Sequence, residues 1–178
     1  MTGSRCSAGP GAADPGAELV EEVDPEGTVL RVVSRAEMRR DRLRHRCTYV
    51  VVLNRADEVL VHRRADWKDV YPGWWDLAFG GVCGVGEGWS DSAARELAEE
   101  AGLSAPLTDL GPIRYDGHDA AVVGRVFLAR SEGPFAGTDG EVAETAWVAR
   151  SDLERWARER RVCRDSGTAV LPLVVALE

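Results

Sequence analysis

"GVCGVGEGWSDSAARELAEEAGL", Gly81–Leu103, is the stretch from which the rest of the chain can be read. With the preceding "LAF" and Gly80, the segment through Gly88 holds five glycines, too many for a regular element and suited to a loop lined by its own backbone. The second half has helical period. At about 100° per residue, Ala93, Leu97 and Ala101 share one side, and Glu96, Glu99 and Glu100 share another. Ser90 or Asp91 is placed to cap this helix, and Gly102 stands where a left-handed terminator belongs. Carboxylates at i, i+3 and i+4 repel one another unless something positive arrives. The stack is therefore either a solvated acidic face or a socket for a divalent cation. Mg²⁺ takes oxygen ligands and shares its remaining positions with substrate phosphates. Arg95, four residues before Glu99, can orient the carboxylates, and Glu87 closes the glycine loop.

Working outward, "TVLRVVS" (28–34) reads as a strand, and the Ser34/Glu37 spacing starts a short helix over 35–43. "CTYVVVLN" and "EVLVHRR" are β-branched runs separated by "RAD", which reads as a hairpin. Further strands are expected at 107–115, 122–130 and 143–149. A second capping box, Ser151/Glu154, opens a helix over 152–161, and "TAVLPLVVAL" closes the chain as a helix or strand. Strands interspersed with a few helices imply an α/β class, with helices on both faces of a mixed central sheet.

The length, 178 residues, suits one domain with a substantial core. Residues 1–27 begin Gly/Pro/Ala-rich and without apolar period, which predicts a disordered tail before a domain spanning 28–178. No signal-peptide core and no apolar run of membrane-spanning length is present, so the expectation is a cytoplasmic protein with no membrane partner. Cys6, Cys47, Cys83 and Cys163 lack metal-site spacing and read as reduced thiols. A net charge of −8 disfavours a nucleic acid polymer as partner. The one basic block, "RRDRLRHR" (39–46), reads as a solvated helix face or a phosphate-attracting patch. Homodimer formation is left open.

The 81–103 stretch resembles the Nudix box, G-x5-E-x7-R-E-U-x-E-E-x-G-U with U apolar. Gly81, Glu87, Arg95, Glu96, Leu97, Glu99, Glu100, Gly102 and Leu103 carry the match. The resemblance implies an α/β/α sandwich and a metal-dependent hydrolase of a nucleoside diphosphate derivative or related small-molecule diphosphate. It implies that Glu96, Glu99 and Glu100 bind Mg²⁺ or Mn²⁺ with the help of a loop carbonyl, that of Gly81. Arg95 would hold the glutamates and Glu87 would brace the loop. Metal ions neutralise a diphosphate, acidify water and align it for attack at phosphorus. A proton acceptor could be a box carboxylate or a further glutamate that also serves the metal, Glu141 or Glu144 in "GTDGEVAETAWV". Arg63, Arg64 and Lys68 are candidate phosphate contacts, or else a solvated strand end. Trp67, Trp74 and Trp75 either stack on a base or pack the fold.

The run "LRHRCTYVVVLNRADEVLVHRRADWKDVYPGWWD" (43–76) looks like the branch that includes isopentenyl diphosphate isomerase. That enzyme needs W-T-N-x-x-C-x-H-P where this chain has "WDLAFGGVC", so Gly80 stands at the cysteine position and Val82 at the histidine position. His45 matches one upstream metal histidine, Met38 replaces the other, and "AAVVGRVF" lacks the later acidic pair. The expectation is a hydrolase of the isomerase-like branch. A nucleotide-sensing domain without turnover, and the isomerase itself, are the competing readings.

Overall fold

The third strand ends in a continuous buried apolar run whose successive side chains face opposite ways, and the architecture follows from that. The computed structural model describes residues 16–136 and 140–177. Strands β1 (Leu19–Val23) and β2 (Val29–Ser34) form an antiparallel hairpin, followed by helix α1 (Arg35–Asp41). Strand β3 (His45–Leu53) pairs in parallel with β7 (Ala121–Arg130) along its whole length, and β6 (Leu107–Asp116) pairs antiparallel with β7. Strand β4 (Glu58–Arg64) lies antiparallel to β8 (Val142–Ala149) and to the short β5 (Trp75–Asp76).

On β3, Val50 and Val52 point into a cluster with Phe79, Ala93, Leu97 and Phe127, under helix α2 (Trp89–Ala101). Tyr49, Val51 and Leu53 point the other way, against Leu153, Val170 and Val174. Those residues belong to α3 (Leu153–Arg158), a π-helical turn at Ser166–Val170 and α4 (Leu171–Val175). The sheet is thus mixed and covered by helices on both faces, the expected α/β/α sandwich. Burial of Leu97 alone is worth roughly 2 kcal/mol.

Four local expectations are corrected. The ordered fold begins before residue 28: in β1, Val20 and Val23 are buried and Glu21 accepts from the Gly86 N–H (2.9 Å) and pairs with Arg46 (3.1 Å). A five-residue strand with three acidic or exposed positions carries little apolar signal of its own. The part of the expected tail at 1–15 lies outside the described residues. The β3–β4 hairpin holds together at its base, at Leu53↔Val59. Beyond that point the segment 79–83 wedges between the strands, with Phe79 and Val50 exchanging both backbone bonds and Thr48 N–H donating to the Gly81 carbonyl.

Helix α2 has Gly88 at its N-cap with no side-chain cap, because Ser90 and Asp91 already lie inside the first turn. Arg150–Asp152 form a 3₁₀ turn and neither Ser151 nor Glu154 caps α3. There Arg150, whose N–H meets the Asp57 carbonyl and whose side chain pairs with Asp57, sets the entry, and Leu153 is driven fully inward. By contrast the Ser34 cap on Glu37 N–H (3.1 Å) forms as expected. So does the Gly102 terminator, at φ 66°, where a Cβ would meet the Ala136 carbonyl oxygen at 2.4 Å.

Candidate active site

Helical geometry divides the carboxylates of the α2 segment. Glu96 and Glu100, one turn apart, differ by about 40° around the axis, whereas Glu99 is about 60° from the first and 100° from the second. Glu96 and Glu100 accordingly line a cavity of about 510 Å³, which Gly80 and Gly81 also line. Glu99 turns outward, half its side chain exposed, and accepts from Arg95 (3.2 Å). Among the described residues no three His, Cys, Asp or Glu side chains converge on one metal position.

Each inner carboxylate is held tightly. Glu100 is buried and accepts from the Gly80 N–H (3.0 Å). Burial, then the neighbouring charge of Glu96, pushes its carboxyl well above the usual range. Glu96 lies so close to Gly81 that a Cβ there would approach its Oε1 at 2.7 Å. Burial raises its carboxyl too, against the opposing pull of Arg95, which donates to it at 2.7 Å.

The outer network is closed. Arg95 forms a fork on Glu87, Nε to Oε1 and Nη2 to Oε2, both at 2.9 Å, and Glu87 also accepts from the Gly84 N–H (2.8 Å). The Arg95 guanidinium, with the Gly84 N–H in support, lowers the Glu87 carboxyl to about 2. The Gly81 carbonyl, a candidate ligand, already takes the Thr48 N–H at 3.0 Å.

Of the candidate phosphate contacts, Arg64 and Lys68 line the cavity and Arg63 does not. Successive strand residues face opposite ways, and Arg63 pairs with Asp66 (3.1 Å) and Glu144 (3.3 Å) outside it. Glu141 lines the cavity beside Lys68, with which it is ion-paired; Glu144 does not. The basic block that looked like a solvated helix face is largely the cavity rim. Arg39, Arg40 and Arg42 reach it together with Arg35, and Arg39 pairs with Asp69 of the facing loop. Helical spacing brings Arg35 and Arg39 onto one side of α1, with Arg42 at its left-handed cap, a signal that identifies the face but not what it covers. His45 lines the cavity with Nδ1 on the Leu43 carbonyl (2.9 Å), while His62 is fully buried, stacked on Phe79 and held neutral by burial, its pKa near 3.

Trp75 packs against Trp156, and Trp74 lies beside Tyr71. Trp67 is two-thirds exposed. Sequence reasoning missed Tyr49, Asp76 and Asp165, which line the same cavity and belong to no motif.

The NUDIX domain family model matches residues 43–165. A Nudix hydrolase of Yersinia pestis is 38% identical over 137 residues, covering 76% of this chain and 75% of that protein. One of Pseudomonas aeruginosa is 38% identical over 151 residues, covering 84% and 89%; both are themselves uncharacterised. A solved Deinococcus radiodurans structure superposes with a TM-score of 0.74 at 19% identity, covering 88% of this chain and 97% of that one. The NUDIX domain of Shewanella oneidensis NrtR, solved with ADP ribose, gives 0.60 at 16% identity, covering 79% and 96%.

Proposed function

Since this chain belongs to the Nudix family and its relatives are hydrolases, we propose that it hydrolyses a diphosphate linkage in a nucleoside diphosphate derivative or related diphosphate, with Mg²⁺ or Mn²⁺. The observation that carries this reading is one cavity lined by two carboxylates, Glu96 and Glu100, that burial raises, with six cationic side chains around it. Glu96 and Glu100 are hard oxygen donors whose carboxyls are raised first by burial, and the glycine at 81 leaves room beside them. This donor set suits a divalent cation. Glu99 would join once released from Arg95, and the Gly81 carbonyl would use the lone pair not taken by Thr48. When bound, the metal supplies charge neutralisation for the diphosphate and acidifies the attacking water.

The chain's own residues do the rest. Arg64, whose Nε meets only the Val70 carbonyl (3.2 Å) and which forms no ion pair among the described residues, is the readiest phosphate contact. Lys68 assists after exchanging Glu141. Glu141, which lines the cavity where Glu144 does not, is the better proton acceptor of the two loop candidates. The Glu87–Arg95 fork fixes the loop against α2 and so holds Glu96 in place.

The narrower likeness to the isomerase-like branch stays part of this proposal, with the isomerase chemistry removed. A Cβ at Gly80 would meet the Thr48 carbonyl oxygen at 1.9 Å, so this backbone has no place for a cysteine there. The test is phosphate release from nucleotides, nucleotide sugars and isoprenoid diphosphates, with an accessory phosphatase, in Mg²⁺ and in Mn²⁺. Metal-dependent release that vanishes in Glu100→Gln is expected. Binding without any release would support the nucleotide-sensing reading instead.

A further inference from the structure

The part of the cavity toward the helices that close the chain is built from a different chemistry. On β3, Cys47 and Tyr49 face the helices that close the chain, and both line the cavity. Tyr49 donates its hydroxyl to Asp165 Oδ2 at 2.7 Å. The other oxygen, Asp165 Oδ1, is buried and has no hydrogen-bond partner. Asp76 lines the same cavity, its Oδ1 taken by the Leu77 N–H at 2.8 Å. Among the described residues neither aspartate forms an ion pair within 4.0 Å, although the charge of Asp76 reaches Arg64. Burial, then the charge of Asp76, raises the Asp165 carboxyl.

A buried acceptor left unmade costs about 1–3 kcal/mol, more when it is charged. Tyr49 engages only one of the two oxygens, and Oδ1 is the one without a partner. The walls beside it, Ala78, Val82 and Val122, are apolar and small, so they shape space for a ring or short chain and leave Asp165 to read its polar edge. A second carboxylate close by selects for a group that carries positive charge on its hydrogens, which an amine or amino-substituted ring does better than a hydroxyl.

We propose that the Tyr49–Asp165 floor is the subsite for the non-phosphate end of the substrate, and that this end presents N–H donors, as an amino-bearing nucleobase or an alkylammonium does. The inference rests on the hydrolase reading for where the diphosphate lies. A volume of about 510 Å³ falls within the ordinary range for such ligands, with the diphosphate between Arg64 and the glutamates and the donor at Asp165. Sites built to pair a polar substrate group discriminate strongly against analogues without it.

The test is calorimetric binding to Glu100→Gln protein in Mg²⁺ of two matched pairs: adenosine against purine riboside diphosphate, and aminopropyl against propyl diphosphate. The donor-bearing member of one pair should bind at least tenfold more tightly, and which pair does so identifies the source of the donor. Asp165→Asn, which turns an amide N–H toward the cavity, should cut that preference below threefold while leaving the donor-free partner within threefold. Equal binding within both pairs, or no binding at all, overturns the proposal. The preference in the Glu100→Gln parent already decides the matter should Asp165→Asn fail to fold. Phosphate release by the unmodified chain separates the two readings. Release without donor preference sinks the floor, and donor preference without release sinks the hydrolase.

Discussion

The two sides of helix α2 carry the same residue type in opposite electrostatic conditions. On the outer side, Glu87 and Glu99 meet Arg95, and Glu87 is lowered to about 2. On the inner side, Glu100 is buried and answered by a single backbone N–H, Glu96 is half-buried with one contact to Arg95 (2.7 Å), and both carboxyls are raised. Arg95 answers Glu87 with a two-pronged contact and reaches Glu96 and Glu99 with one nitrogen, while Glu100 meets no cation of the box. A glutamate-rich helix is therefore not one feature but two, and only burial tells them apart.

The largest effect should come from breaking the inner side. Glu100→Gln keeps an acceptor for the Gly80 N–H and removes the charge, so kcat should fall by at least about a thousandfold, as expected when a group stabilising transition-state charge is lost. In metal-free buffer the same variant should melt several degrees higher, because an uncompensated buried charge has gone. Glu99→Gln sharpens the contrast: turnover should fall, but melting should not rise. A Glu100→Gln protein with wild-type turnover would remove the metal socket altogether.

Next in size is the outer side. Arg95→Lys keeps the charge but cannot form the two-pronged contact with Glu87. It should cost about 1–3 kcal/mol in urea unfolding and release Glu96 and the glycine loop, lowering kcat more than it raises KM. Equal stability of Arg95→Lys and wild type would show that the fork contributes nothing.

A smaller effect separates two adjacent arginines. Arg64→Ala should raise KM roughly tenfold, as loss of one charge-assisted contact does. Arg63→Ala, on the opposite strand face and tied to Asp66 and Glu144, should leave KM within about twofold, the scatter expected away from the site. Steady-state kinetics on whichever member of the panel is hydrolysed would check both, and a reversed order would mean that the strand faces have been misassigned.

That pair also marks how far the sequence can be read. The glycine loop, helix α2 and its Gly102 terminator were legible because short-range spacing determines them. The apolar run of β3 was legible as a strand but not as two strands forced apart, since the wedge at 79–83 comes from a distant part of the chain. Strand β1 hid among acidic residues because its burial depends on partners elsewhere. In the site, the box glutamates were visible as a motif. Their division into inner and outer pairs was not, and neither were Tyr49 and Asp165, 116 residues apart and joined only by the fold.

The mildest test of the comparison is acid. Glu87 is lowered from 4.5 to about 2 by the Arg95 fork and the Gly84 N–H, so the folded state prefers it ionised. That preference stabilises the fold fully above the unfolded carboxyl value and is lost as pH falls from there through about 2. Glu100 runs the other way. Its raised carboxyl means that the folded, metal-free protein gains a proton before the unfolded chain does, so stability falls as pH rises through the folded value. Acid therefore weakens the outer side while relieving the inner one. After allowance for solvent at the partly exposed Arg95, the Glu87 contribution should be about 1–2 kcal/mol. Urea unfolding of wild type and Glu87→Gln at pH 6 and pH 3 reads it directly: the gap between them should narrow at the lower pH. A gap that stays constant would mean that Glu87 holds the loop by shape alone, and the contrast between the two sides of α2 would lose its outer half.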